Sequence, residues 1–332
     1  MRNWKIGMML TALLLTAALL TGCGAVRPAP AEPERKRSLA LLLSQEDDFL
    51  TTLRDQVRAE AEKQGCALDY YTAEGDAETQ LSQAHEALAA GADTLIVNLT
   101  SEDSGRQIAA IAGDANIVFI NRAPTDRSVL NGKTVFVGVD EALCGMLQGQ
   151  ELAAYFQKNW VGAEIRYLLF QGVPNLENTL ERSNGALQGL IDAGFTPVSA
   201  AEFQVCDFYR DRARAAMTEL LAAGTDYDCV ICNNDAMALG VIDALRDAGK
   251  DPSEVPIAGV DCTEEGAAAL RAGDLYVTVK QDAAVQAETA VAAAINLSSG
   301  QPFDAGLDFP LETDSHAPPY SIYIPAGAVM TA

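Results

Sequence analysis

The sequence predicts an α/β protein of two doubly wound lobes, and three observations carry that expectation. Short apolar runs alternate with amphipathic stretches along most of the 332 residues, and such alternation gives parallel sheets covered by helices on both faces. The runs fall into two successive series, one per lobe. Several amphipathic stretches end on a glycine, at Gly65, Gly91, Gly194 and Gly249, where a left-handed residue stops a helix.

Taken in order, strands are expected at residues 39–43, 67–72, 94–98 and 117–121, with helices between them such as the one that places Leu50, Leu53 and Val57 on one face. The second series has strands at 134–139, 165–170, 198–203, 229–233, 257–260 and 276–279. A cleft between two such lobes is a usual place for a small ligand.

The start of the chain points to export. Arg2 and Lys5 precede an uncharged run over residues 6–20, which closes on Leu20, Thr21, Gly22 and Cys23. That run is short for a bilayer span, which needs about 20 apolar residues, but fits a signal-peptide core. Its ending resembles a bacterial lipobox, implying a signal over residues 1–23 and a lipid on Cys23 that tethers a soluble body. Residues 24–37 carry three prolines and six charges with no apolar period and read as a disordered linker. No second long apolar run follows.

The net charge of −23 argues against a nucleic-acid partner, since phosphate binding needs a basic patch. Apart from Cys23, cysteines stand at 66, 144, 206, 229, 232 and 262, too scattered for a disulfide framework. Cys229 and Cys232 are three apart on an expected strand, so they point to opposite faces and cannot grip one ion. Only two histidines occur, His85 and His316, and no G-x-S-x-G, phosphate-loop or H-E-x-x-H motif is present. Asp47 and Asp48 offer paired carboxylates for glycoside chemistry. The other strand ends offer mainly amides and aromatic rings, which hold hydroxyls rather than break bonds, so a binding protein without cofactor is expected, not an enzyme.

One turn needs separate treatment. Asn233, Asn234 and Asp235 interrupt an apolar strand and the amphipathic helix that follows it. Asp235 as helix N-cap with asparagines as turn formers is one reading. The other is ligand contact, because ligands of open α/β sheets bind at the carboxyl ends of the strands.

The stretches DDF at 47–49, FINRAP at 119–124, FVGVDEALCGMLQGQ at 136–150, NNDAMALG at 233–240 and GVD at 259–261, in that order, resemble the exported sugar-binding proteins of ABC transporters, those for galactose and glucose in particular. The resemblance runs from about residue 39 to 324. It implies two Rossmann-like lobes joined by a three-segment hinge, the type I periplasmic-binding-protein architecture. The crossings would lie near 139–140, 280–282 and 316–319, giving an N-terminal lobe of 38–139 plus 282–315 and a C-terminal lobe of 140–281 plus 316–332.

The resemblance also implies a monosaccharide held between planar polar groups and two aromatic rings. Asp47 matches a carboxylate that accepts from a sugar hydroxyl, Phe49 one stacking ring, and Asn121 an amide ligand. Arg122 replaces a lysine, with a broader donor fork. Arg182 matches the guanidinium that reaches ring and hydroxyl oxygens, Asn234 the second asparagine of the turn, and Asp261 the carboxylate one strand further on. Other positions depart: Leu176 and Asn178 replace a histidine and an aspartate, Gln281 replaces an asparagine, and Phe208, or else Tyr209, takes the place of a tryptophan. The family's calcium loop is missing, because only residues 161–164 separate the helix near Trp160 from the next strand, and no bound metal is expected. A monomer that meets an ABC permease, tethered to the cell membrane by its lipid alone, is the expected assembly. A sensor that presents the sugar to a membrane receptor or kinase is the alternative. A sugar-responsive repressor would need a helix-turn-helix where the export signal stands.

Overall fold

The computed structural model describes residues 37–159, 162–307, 319–326 and 329–331. Cys23, the export signal, all of the linker before Arg37 and His316 lie outside the described residues.

The first sheet is built from β1 (Ser38–Leu43), β2 (Ala67–Thr72), β3 (Thr94–Val97), β4 (Asn116–Ile120) and β5 (Thr134–Val139), with α1 (Asp48–Lys63), α2 (Ala77–Ala89) and α3 (Gly105–Ala112) as connections. After it come α4 (Glu141–Asn159), β6 (Glu164–Gln171), α5 (Glu177–Asp192), β7 (Thr196–Ser199), β8 (Gln204–Val205), α6 (Arg210–Ala222), β9 (Cys229–Cys232), α7 (Asp235–Asp247), β10 (Ile257–Asp261), α8 (Glu264–Ala272) and β11 (Val277–Lys280). The chain ends with α9 (Ala283–Ser298), β12 (Ser321–Ile324) and β13 (Val329–Thr331). The first sheet has the order β12-β5-β4-β3-β1-β2 and is parallel throughout. The second has the order β13-β11-β10-β9-β6-β7, with β8 also on β6 and only β13 antiparallel.

The apolar runs follow from this layering. β3, β5, β9 and β10 are buried at every position, as strands covered on both faces require. Alternate residues serve opposite faces: Leu39, Leu41 and Leu43 pack with α1 and α9, while Ala40 and Leu42 pack with α2 and α3. In the second sheet Cys232 packs under α6 and α7, whereas Cys229 packs under α4 and α5. The two thiols therefore sit on opposite faces, and burial raises both pKa values.

Chain crossings between the sheets occur at Asp140, between β5 and α4, and at Gln281 and Asp282, between β11 and α9, which packs on α1. The third differs from the expected place at 316–319. β12 pairs in parallel with β5, Ser321 opposite Phe136 and Ile324 opposite Val139, so residues 321–324 belong to the first lobe and the crossing follows them. Ile322 and Ile324 are buried there, and their two-residue alternation suits the edge of the first sheet. The strand expected over 198–203 is also corrected. β7 stops at Ser199 and β8 resumes at Gln204, with Val198 and Phe203 exposed. Their apolar character thus reports no burial at this edge.

Candidate functional site

Three helices start on capping side chains, two of which, Asp47 and Asn234, line the space between the lobes. Asp47 accepts from the Leu50 amide at 2.8 Å to start α1, Asn234 accepts from the Met237 amide at 3.0 Å to start α7, and Asp282 accepts from the Val285 amide at 3.1 Å to start α9. Capping and ligand contact are not exclusive, because each acid or amide has a second polar atom beyond the capping one. Asp47 Oδ2 accepts from Gln45 Nε2, Asn234 Nδ2 donates to the Phe208 carbonyl and Asp282 Oδ2 pairs with Lys280, and each can take a further partner. Asp235 is not the cap. It is the first residue inside α7, buried, and accepts from Thr278 Oγ1 at 2.6 Å and the Thr263 amide at 2.9 Å. Burial raises its pKa to about 7 despite those bonds.

All ten residues expected from the sequence line one cavity: Asp47, Phe49, Asn121 and Arg122 from the first lobe, Asn178, Arg182, Phe208, Asn234 and Asp261 from the second, and Gln281 from a crossing. Leu50 lines it as well; it was legible only as a core position of α1. Phe208, not Tyr209, supplies the second ring. A side chain at Gly172 would overlap that ring, so glycine leaves the room the ring occupies.

The polar groups are interlinked. Asn121 donates from Nδ2 to Gln281 Oε1 at 3.3 Å, and Gln281 donates from Nε2 to Asp261 Oδ1 at 3.0 Å. Arg182 donates from Nε and Nη2 to the two oxygens of Glu141, at 2.6 and 3.0 Å, and from Nη1 to the Asn233 carbonyl at 2.8 Å. Its Nη1 also stands 3.8 Å from Asp261. Arg122 donates from Nη1 to Ser44 Oγ at 2.9 Å and to the Leu99 carbonyl at 3.1 Å, and its guanidinium lies 5.9 Å over the Phe208 ring. Among the described residues, two buried atoms of lining residues have no partner: Arg122 Nε, a donor, and Asn178 Oδ1, an acceptor. An unpaired buried polar atom costs about 1–3 kcal/mol, which a ligand hydroxyl would relieve.

Charge and strain concentrate at the same place. Burial raises the pKa of Asp47, Asp261 and Glu141, with Arg122 opposing it at Asp47 and Arg182 at the other two. Burial lowers Arg122, whereas at Arg182 the Glu141 carboxylate outweighs burial and the pKa rises. Asn121, Phe208 and Asp261 have φ of 65°, 70° and 114°, left-handed values that cost side-chain-bearing residues about 1–3 kcal/mol each and gather at ligand sites. Among the described residues no cluster of His, Cys, Asp or Glu is set to hold a metal, and no helix is long and apolar enough to cross a membrane.

Residues 40–302 match the periplasmic binding protein domain. The chain is 30% identical over 315 residues to a putative rhizopine-binding protein of Rhizobium meliloti, covering 94% of this chain and 96% of that one. It is 29% identical over 267 residues to a ribose import binding protein of Escherichia coli, covering 80% of this chain and 86% of that one. A solute-binding protein of an ABC transporter from Bacillus halodurans, solved with bound myo-inositol, superposes with a TM-score of 0.75 at 26% identity, over 90% of this chain and 96% of that one. The two parallel-sheet lobes, the polar cavity between them and a match over most of the chain lead to one conclusion: this protein belongs to the periplasmic binding protein family.

Proposed function

We propose that this chain is an extracytoplasmic solute-binding lipoprotein that captures one small polyhydroxylated ring, a monosaccharide or a cyclitol, and hands it to an ABC transporter permease. The observation that carries the reading is the cavity itself. Two carboxylates, four amides and two guanidiniums, from both lobes and a crossing between them, converge on one cavity. Planar groups of this kind engage neighbouring hydroxyls in pairs, and a hydrogen bond to a charged group is worth about 1.5–3 kcal/mol. Phe49 and Phe208 supply rings for the apolar C–H faces. The relatives named above bind or import rhizopine, ribose and myo-inositol by their descriptions. The galactose or glucose preference implied by the resemblance is therefore one candidate among hexoses, pentoses and cyclitols.

Contacts from both lobes favour the closed arrangement over an open one, since a ligand shifts an equilibrium by its differential affinity. Lipid on Cys23 would keep the protein beside its permease. The test is a thermal-shift panel of D-ribose, D-allose, D-galactose, D-glucose and myo-inositol on the mature chain. A ligand held at 100 times its Kd stabilises the fold by about 2.7 kcal/mol, so one member should raise the melting temperature clearly. No response to any member at millimolar concentration would count against the reading.

A further inference from the structure

α5 carries Asn178 and Arg182 into the cavity, yet it starts without a cap of its own. Its N-cap residue is Leu176, which offers no side-chain acceptor, in contrast to Asp47 on α1 and Asn234 on α7. The missing acceptor comes from the other lobe. Both carboxylate oxygens of Glu102, on the single turn Glu102–Ser104 after β3, accept from the Glu177 amide at 3.0 Å. Glu102 is buried at this junction, 8% exposed. Next to it, Arg127 of the first lobe donates to Glu177 Oε2 at 2.5 Å. These bonds can exist only while the lobes are together.

We propose that Glu102 is a positioning residue for ligand capture: it supplies from the first lobe the cap that α5 lacks, so that closing the cleft completes the helix presenting Asn178 and Arg182. The inference rests on the binding function proposed above. It makes closure sensitive to protons. The groups facing Glu102 are Glu177 on α5, Arg122 at the end of β4 and Arg127 on the turn before β5. Burial, with the Glu177 charge, raises its pKa from 4.5 to about 7, against the pull of the Glu177 amide and the two arginines. In an open cleft, water returns it toward the ordinary value. A pKa raised on closing means that closing takes up a proton; the closed form gains as pH falls through about 7 and loses as pH rises through it. A protonated Glu102 still offers its carbonyl oxygen to the amide.

The test compares the mature protein with Glu102→Gln and Glu102→Ala by hydrogen exchange of the first turn of α5 and by calorimetric affinity for whichever member of the sugar and cyclitol panel binds. The native protein should bind up to about tenfold more tightly near pH 6 than near pH 8, the scale set by one such shifted group. Glu102→Gln, which mimics the protonated acid, should bind tightly with that slope removed. Glu102→Ala should bind about tenfold more weakly, with faster exchange at Glu177, the scale of one lost helix cap. Unchanged exchange in Glu102→Ala, or an unchanged pH slope in Glu102→Gln, would overturn the proposal while leaving the binding function intact. If no panel member binds, the functional reading fails and the role of Glu102 in ligand capture fails with it.

Discussion

Each lobe sends one buried arginine into the cavity, and the two are held in opposite ways. Arg182 of the second lobe is committed: Glu141 takes two of its donors and the Asn233 carbonyl a third. Among the described residues, Arg122 of the first lobe bonds only to neutral oxygens, of Ser44 and Leu99, and its Nε has no partner. The pKa directions record the contrast, raised at Arg182 by Glu141 and lowered at Arg122 by burial. The packing behind them differs too. α1 and α9 of the first lobe meet through side chains such as Leu53, Val57, Ala287 and Val291. α4 and α5 meet backbone to backbone: a Cβ on Gly145 would overlap the Arg182 carbonyl, and one on Gly185 the Ala142 carbonyl. The second lobe thus presents a rigid, internally neutralised donor, while the first presents a charge still open to a ligand.

Removing each arginine should separate these roles. Arg182→Met leaves Glu141 buried without its counter-charge, which typically costs about 3–5 kcal/mol; urea denaturation should show that loss, and adding Glu141→Gln should recover part of it. Arg122→Met strands no bonded carboxylate, so its stability cost should stay near 1 kcal/mol. Its ligand affinity should nonetheless fall on the order of 100-fold, the equivalent of one or two charge-assisted bonds. Equal stability losses in the two variants would erase the contrast.

Gly145→Ala tests the frame behind Arg182. The added methyl must push α4 and α5 apart, an overpacking cost of about 1–3 kcal/mol, and affinity should fall with it because Arg182 moves. Ala287→Gly on α9 removes only a methyl from a side-chain interface and should leave affinity unchanged.

The smallest effect concerns Asp261. Its carboxyl is raised well above 3.8, by burial first, so the ionised form costs the folded state stability, which is regained as pH falls through the raised pKa and is fully restored below the ordinary carboxylate value. Asp261→Asn should therefore raise the melting temperature of the ligand-free protein by a few degrees near pH 7. The gain should vanish near pH 4, and binding should weaken at both. A lower melting temperature at pH 7 would contradict the assigned cost.

Much of this was legible in the sequence, for identifiable reasons. Parallel strands buried on both faces read as continuous apolar runs, and Asn121, Asn234 and Asp261 stand at or just beyond strand ends, as Asp47 does before α1, where short motifs mark them; Asn178 and Arg182 lie on α5 instead. The illegible parts depend on partners distant in the chain. Leu50 reads as an ordinary core position, and nothing local indicates that Glu141 neutralises Arg182. Residues 321–324 are too few to declare which sheet they join; pairing with β5 decides it. Val198 and Phe203 read as strand because edge residues can be apolar without being covered.

The central claim is that polar groups from both lobes close on one polyhydroxylated ring, with Arg122 the open charge among them. Isothermal titration of the mature protein and of Arg122→Met with the panel member that raises the melting temperature tests it most directly. The account predicts one site per chain in the native protein and an affinity lower by on the order of 100-fold in the variant. Equal affinities in the two proteins would contradict it.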